Sequence, residues 1–241
     1  MTAPKQRIPL IDGLRGLAVV MMLVHHFLID LSWLAGVRNI PVINEPYFQW
    51  IQLFFLVLFF GVSGICTHFS HSNIRRGLIA LAAGMAVTAV SFVVMPEAPI
   101  YFGVLHMLGS CMLIYGLCAR WIDRIPTRAG FFLFLALFVI NYAVYLNLPR
   151  VSVPHLYIFG ILDYSFASSD YYPLFPWIFL FLAGAMLGRP IAEGRFPRWF
   201  YRVRMPFFEM VGRHALVIYL AHQVVFYAAI QLVLLLLGRG V

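Results

Sequence analysis

The sequence predicts an all-α fold: a polytopic membrane helix bundle of about seven transmembrane helices, with the N-terminus inside and the C-terminus outside. Three observations predict it. Hydrophobic residues make up 63% of the 241 residues and charged residues 11%, about half the charged share of a soluble domain. Apolar stretches of about 20 residues, the length that crosses a hydrocarbon core, recur along the chain. The cations between them fall in alternate connections. No polar region is large enough for a separate soluble domain, so residues 1–241 read as one integral-membrane domain.

Seven spans follow in order. The first, 9–34, holds the run IDGLRGLAVVMMLVHHFLIDLSW and closes at the Arg38 to Pro46 separator. The second, 48–69, is bounded by the polar and basic cluster Ser70 to Arg76, and the third, 77–95, by Pro96 to Pro99. The fourth, 101–119, ends at the basic segment Arg120 to Arg128, and the fifth, 130–148, at the long connection Pro149 to Tyr172. The sixth, 173–188, precedes the Arg-rich segment Arg189 to Pro206, and the seventh is 211–237. Gly, Pro and Arg clusters break helices or resist burial, which is why they serve as boundaries.

With the N-terminus inside, fourteen cations fall on the inner segments and adjoining helix ends: Lys5, Arg7, Arg15, Arg75, Arg76, Arg120, Arg124, Arg128, Arg189, Arg195, Arg198, Arg202, Arg204 and Arg213. Arg38, Arg150 and Arg239 remain outside. Such a bias orients a membrane protein and accounts for the net charge of +8 without a nucleic-acid partner. Cys66, Cys111 and Cys118 all lie in apolar segments, so no disulfide framework is indicated, and no metal-ligand spacing occurs. Lys5 and Arg7 before an apolar run resemble a signal peptide, but the run is too long and carries Arg15 and His26, so cleavage is not expected.

The first span carries charges that a membrane helix ordinarily avoids. At 100° per residue Asp12, Arg15, His26 and Asp30 share a stripe about 60° wide, while His25 points about 100° away. An ionisable group at bilayer depth costs roughly 2.5 kcal/mol or more, so such groups face a bundle interior or a wet cavity. His26 and Asp30, at i and i+4, are spaced to touch. Rising 1.5 Å per residue, the first span puts His26 in the outer half. His106 near the start of the fourth span and His155, Asp163 and Asp170 in the 149–172 connection fall on the same side, with His222 and Gln223 mid-membrane. His68 and His71 lie near the inner end. Blander readings stand beside these. A lone membrane histidine often bonds a neighbouring helix, as His106 or His222 would, and most inner arginines serve orientation. Aromatics such as Tyr171 and Tyr172 commonly form interfacial belts, and a buried His26/Asp30 pair would also serve only to lock the bundle.

Several motifs carry a family resemblance. Arg7 through Leu31, with Arg15 followed eleven residues later by His26, resembles the opening helix of bacterial relatives of the heparan-α-glucosaminide N-acetyltransferase catalytic domain, within the wider transmembrane acyltransferase superfamily. FFGVSG at 59–64, GVLHMLG at 103–109, DYYPLFPWIFLFLAGAMLG at 170–188 and GRHALVIYLAHQ at 212–223 continue the similarity in order along nearly the whole chain. His214-Ala215 departs from the pattern, where relatives place a small polar residue, and His25 is an additional histidine.

The resemblance implies acetyl transfer from cytoplasmic acetyl-CoA to an amino sugar or other glycan acceptor, soluble or lipid-linked, on the outer side of a bacterial cytoplasmic membrane. Arg15, Arg120, Arg124 and Arg189 would hold the acetyl-CoA phosphates. His26 would act as general base with Asp30 orienting its ring, or carry the acetyl group transiently. His106, Asp163, Asp170, Tyr171, His222 and Gln223 would line the acceptor side. The lipid bilayer is a partner, nucleic acid and metal are not expected, and a homo-oligomer is compatible with the sequence. Two other classes fit the same residues: a bis-histidine haem protein using His26 and His222, and a proton-coupled transporter using His26 and Asp30 as a relay.

Overall fold

The computed structural model describes residues 7–34, 40–94, 96–97 and 99–238. Lys5, Arg38 and Arg239, which enter the orientation count, lie outside the described residues. Nine α-helices run in order among them: α1 (Pro9–Leu34), α2 (Pro46–Ile65), α3 (Asn73–Val94), α4 (Val104–Ile122), α5 (Thr127–Asn147), α6 (Leu174–Ala192), α7 (Arg198–Arg202), α8 (Pro206–Arg213) and α9 (Ala215–Leu236). Seven of them, all but α7 and α8, are long and apolar enough to cross a membrane. The fold is all-helical, and the only β pairing among the described residues is an isolated bridge between Val151 and Asp163.

The expected spans hold to within a few residues, the last as α9. Residues 211–213 at its expected start belong instead to α8, which the turn at His214 separates from α9. The segment expected to be a plain separator before it contains α7 and α8, both opened by proline-bearing boundaries at Pro197 and Pro206. Proline lacks the N–H that the first helical turn leaves unpaired, so it starts a helix at little cost. α6 likewise runs past its expected end, carrying Pro190 in its last turn, and stops before Gly194, whose φ of +75° favours glycine.

Two compact units make up the chain. The first takes its described residues from 1–59 and 197–241, that is α1, most of α2, and α7 to α9. Here α1 packs on α8 and α9. At the α1/α8 crossing a Cβ on Gly16 would run into the Phe208 carbonyl oxygen, and one on Gly212 into the Asp12 carbonyl oxygen. Backbone therefore lies on backbone, the close approach small residues permit between membrane helices. The outward faces of α9 remain apolar, with Val217, Val224 and Leu236 largely exposed, as a lipid-facing helix requires.

The second unit, 60–196, contains the last turn and a half of α2 and helices α3 to α6. α3 packs on α4 through Gly77 and Gly109, where a Cβ on either would sit within 3 Å of the other's carbonyl oxygen. α6 packs on the end of α2 where a Cβ on Gly64 would run into the Phe181 carbonyl oxygen and one on Gly184 into the Gly61 carbonyl oxygen, around the fully buried Phe60 and Phe181.

Candidate functional site

The first unit holds the charged stripe of α1, and its two ends behave differently. At the N-terminal end Asp12, only 8% exposed, pairs with Arg15 at 2.5 Å, and Arg213 Nε lies 3.8 Å from its second oxygen. Arg15 Nε also donates to the Gly212 carbonyl oxygen at 2.8 Å. That carbonyl lies in the last turn of α8, where helical carbonyls lack intrahelical partners, so a guanidinium satisfies it. Arg15 is thus engaged in holding α8 against α1, a structural task that its candidacy as a phosphate ligand did not foresee.

Beside it Glu209, 2% exposed, accepts from Arg204 Nε and Nη2 at 2.8 and 3.0 Å, from the Met205 N–H at 2.9 Å and from Arg213 Nη2 at 3.4 Å. The Arg204 guanidinium beside Glu209 holds its carboxyl below the ordinary glutamate range, and Glu209 in turn raises Arg204. Glu209 was not singled out from the sequence. A usable signal was present, since it is the single carboxylate between residues 195 and 213 among Arg195, Arg198, Arg202, Arg204 and Arg213.

Further along α1 the histidines separate as their helical phase predicts. His25 turns away, stacks on Phe48 with ring centroids 4.6 Å apart and bonds the Gln52 side chain. His26 meets His222 of α9: its Nδ1 lies 2.8 Å from His222 Nε2, with the ring centroids 5.0 Å apart and the planes within 23° of parallel. His222 is 7% exposed, and its other nitrogen, Nδ1, bonds the Tyr219 carbonyl oxygen one turn back. Phe226 closes the other side of the His222 ring, edge-on at 5.8 Å.

The expected His26–Asp30 contact is not among the hydrogen bonds or ion pairs of the described residues. Asp30 lies on the same helical face, but its Oδ2 is buried without a hydrogen-bond partner. The reason is geometric: the i, i+4 spacing allows contact, whereas the His26 ring is drawn by its Nδ1 to α9. Gln223, next to His222 in sequence, is exposed on another face of α9.

In the second unit His106, 5% exposed, lies in the first turn of α4. Its Nε2 is 3.4 Å from Thr88 Oγ1, its ring stacks on Phe102 at 5.6 Å, and its Nδ1 has no hydrogen-bond partner. Asp170 Oδ2 accepts from the Val104 N–H at 3.3 Å, supplying the N-terminus of α4 with the acceptor and negative charge that a helix start favours. The structure therefore brings Asp170 and His106 to the same turn of α4. Tyr171 donates its hydroxyl to the Tyr157 carbonyl oxygen within a cluster that includes Phe166, and burial pushes its phenol above the ordinary range. Asp163 is spent on its own turn, accepting from the Ser165 N–H at 2.8 Å and hydroxyl at 2.6 Å, which hold it below the usual carboxylate range.

The arginines of this unit differ in engagement. Arg189 Nη1 donates to the Asp123 carbonyl oxygen at 3.1 Å, and its Nε pairs with Glu193 at 3.2 Å. Arg120 and Arg124 are exposed, Arg120 lying 5.8 Å over the Trp121 ring. Close by, Tyr115 donates to Asp123 at 2.9 Å and contacts His68 Nε2 at 3.1 Å, a cluster the sequence did not single out. Among the described residues no group of three or more His, Cys, Asp or Glu side chains is arranged to hold a metal ion.

A family model described as heparan-alpha-glucosaminide N-acetyltransferase, catalytic, matches residues 7–224. Comparison with curated proteins and with solved structures finds no match.

Proposed function

The chain belongs to the heparan-alpha-glucosaminide N-acetyltransferase catalytic family, and from that premise we propose that it transfers an acetyl group from cytoplasmic acetyl-CoA to an amino sugar or other glycan acceptor across the membrane. The observation that carries this reading is the match itself, which spans both His26 and His222. His26 is the general base. As the acceptor nitrogen or oxygen attacks the thioester carbonyl carbon, His26 takes its proton; the new bond to carbon forms, the C–S bond breaks, and the thiolate leaves with the electron pair. Asp30, one turn along the same helical face of α1, is the carboxylate of the His26 site. Within the second unit, His106 and Asp170, together at the first turn of α4, are the residues suited to a polar glycan group.

Mass spectrometry of membrane glycans from a deletion strain tests the function. Loss of an acetylated glycan upholds it, and a profile identical to the parent strain removes it.

Exposed guanidiniums suit the donor's phosphates, because they are not committed to internal carbonyls. Removing charge at Arg120 or Arg124 is expected to weaken acetyl-CoA binding and reduce its salt sensitivity. Arg189→Gln is expected to act less, since Glu193 already offsets its charge. Arg15→Gln is expected to lower the yield of folded protein through the lost Asp12 and Gly212 bonds. Titration calorimetry showing unchanged affinity and salt dependence in the Arg120 and Arg124 variants would remove these residues from the donor site.

The orientation belongs to the same proposal. A topology reporter fused after Val241 is expected to read extracytoplasmic, and one placed between residues 189 and 206 cytoplasmic. The opposite pair of readings reverses which face meets acetyl-CoA.

A further inference from the structure

His26 bonds a second imidazole, and that second imidazole bonds a carbonyl. A carbonyl oxygen is only an acceptor, so Nδ1 of His222, against the Tyr219 carbonyl, must carry the hydrogen. In neutral His222 the lone pair then sits on Nε2, the nitrogen 2.8 Å from His26 Nδ1. His26 Nδ1 must therefore be the donor, and the lone pair of His26 is left on Nε2. One backbone carbonyl thus sets the tautomer of two histidines in series.

We propose that His222 is the positioning residue of the reaction: it holds His26 with Nε2 as the basic nitrogen and accepts the Nδ1 proton when Nε2 is protonated. This rests on the acetyltransferase reading above. When the acceptor's proton reaches His26 Nε2, the Nδ1 proton moves to His222 Nε2. His26 is then neutral, and His222 is an imidazolium whose Nδ1–H still faces the Tyr219 carbonyl. The reverse shift frees the Nε2 proton of His26 for the departing thiolate, so the cycle ends with the acetylated acceptor, the free thiol and both histidines in their starting tautomers. No oxidant, reductant or further reactant is required.

The choice of partner has a physical reason. A carboxylate bonded to His26 would place a permanent charge within a membrane span, where ionisable groups are costly. A neutral imidazole carries none at rest and takes up charge only while the proton is in transit. The neighbouring titratable groups are His25, which is turned onto Phe48 and Gln52, Asp30 one turn along α1, and Tyr219, whose ring centroid lies 5.4 Å from that of His222. Neither His25 nor Asp30 is hydrogen-bonded to the pair among the described residues. Phe226 on the far side of His222 is apolar, which leaves the His26 Nδ1 hydrogen and the Tyr219 carbonyl as the ring's polar contacts.

The test uses the full chain in lipid nanodiscs with 15N-labelled histidine, the His26→Gln and His222→Gln variants serving to assign the resonances. Both Nδ1 atoms are expected to appear as N–H and both Nε2 atoms as lone-pair nitrogens at neutral pH. In His222→Leu the His26 signal is expected to lose its single tautomer. A proton on Nε2 of His26 in the wild-type chain overturns the proposal. In acetyl-transfer assays His222→Gln keeps an amide oxygen for the Nδ1–H but accepts no proton, so kcat is expected to fall about 10-fold or more, with KM for acetyl-CoA unchanged. A kcat equal to that of the wild type overturns the proton transfer. If the wild-type chain shows the expected tautomers and transfers no acetyl group, the acetyltransferase reading fails and the histidine pairing stands.

Discussion

His26→Ala is expected to lower acetyl transfer by about 10²-fold or more, the usual scale for losing a general acid–base group, while folding and acetyl-CoA binding stay near the wild-type level. The expectation follows from position. His26 lies on the α1 stripe that also carries Asp12, Arg15 and Asp30, and its Nδ1 is committed to His222, so the proposal leaves Nε2 to take the proton. His25→Ala is expected to do much less, because that ring is stacked on Phe48 and leaves the stripe. Asp30→Asn is expected to fall between them, keeping shape on the His26 face while removing the charge. The comparison of adjacent histidines is decisive. A helix whose polar residues only lock the bundle would not separate residues 25 and 26 in this way. Initial rates measured on equal amounts of reconstituted protein check it, and an active His26 variant beside an inactive His25 variant would overturn the assignment of the base.

Gly16→Leu and Gly212→Leu are expected to have the largest structural effect. Each side chain would be built into the facing helix's backbone, at the Phe208 and Asp12 carbonyl oxygens respectively. Backbone cannot rotate aside as a flexible side chain does, so α1 and α8 must separate. Separation would break the Arg15 bond to the Gly212 carbonyl and loosen the Asp12–Arg213 pair. The cost is expected to reach or exceed the about 1–3 kcal/mol of an overpacked core, and buried charges left unpaired would add to it. Gly61→Ala is the control, because no atom lies within 4 Å of a Cβ there and alanine is the better helix former. Thermal unfolding in detergent followed by size-exclusion chromatography should show a large drop for the first two and none for Gly61→Ala. Equal stability of all three would mean that α1 and α8 are not held at that crossing.

Much of the fold was legible in the chain because its cues are local. A stretch such as 77–95 declares a span by length and apolarity, and α3 occupies nearly that segment. The division between α8 and α9 was not legible: α8 is only 8 residues long and carries Glu209 and Arg213, so it announces no span, and no proline marks the turn at His214. α7 and α8 were hidden among arginines that read, in sequence, as orientation signals. The candidate site was legible only in part. His26 stood out because a histidine in a membrane helix needs a reason, and the helical phase correctly separated it from His25. Its bonding to Asp30 was the local guess, drawn from i, i+4 spacing, and the ring turned elsewhere. Asp170 was placed near His106 only as two residues on one side, whereas it bonds the first turn of the helix that carries His106.

By itself the sequence determined an all-helical membrane protein, the approximate limits of seven spans, the ionisable stripe of α1 and the family resemblance. These depend on residue composition, spacing and order along one strand of chain. Only the tertiary structure decided that His26 meets His222, 196 residues away, that Arg15 reaches the carbonyl of Gly212, and that Gly16 and Gly212 lie backbone to backbone. The physical reason is that periodicity states which face of a helix a residue occupies, while partnership depends on which helix arrives at that face and in which register. A hydrogen bond or a Cβ-sized gap is sensitive to shifts well under the 1.5 Å rise of one residue, and that register is settled by packing among helices far apart in the chain.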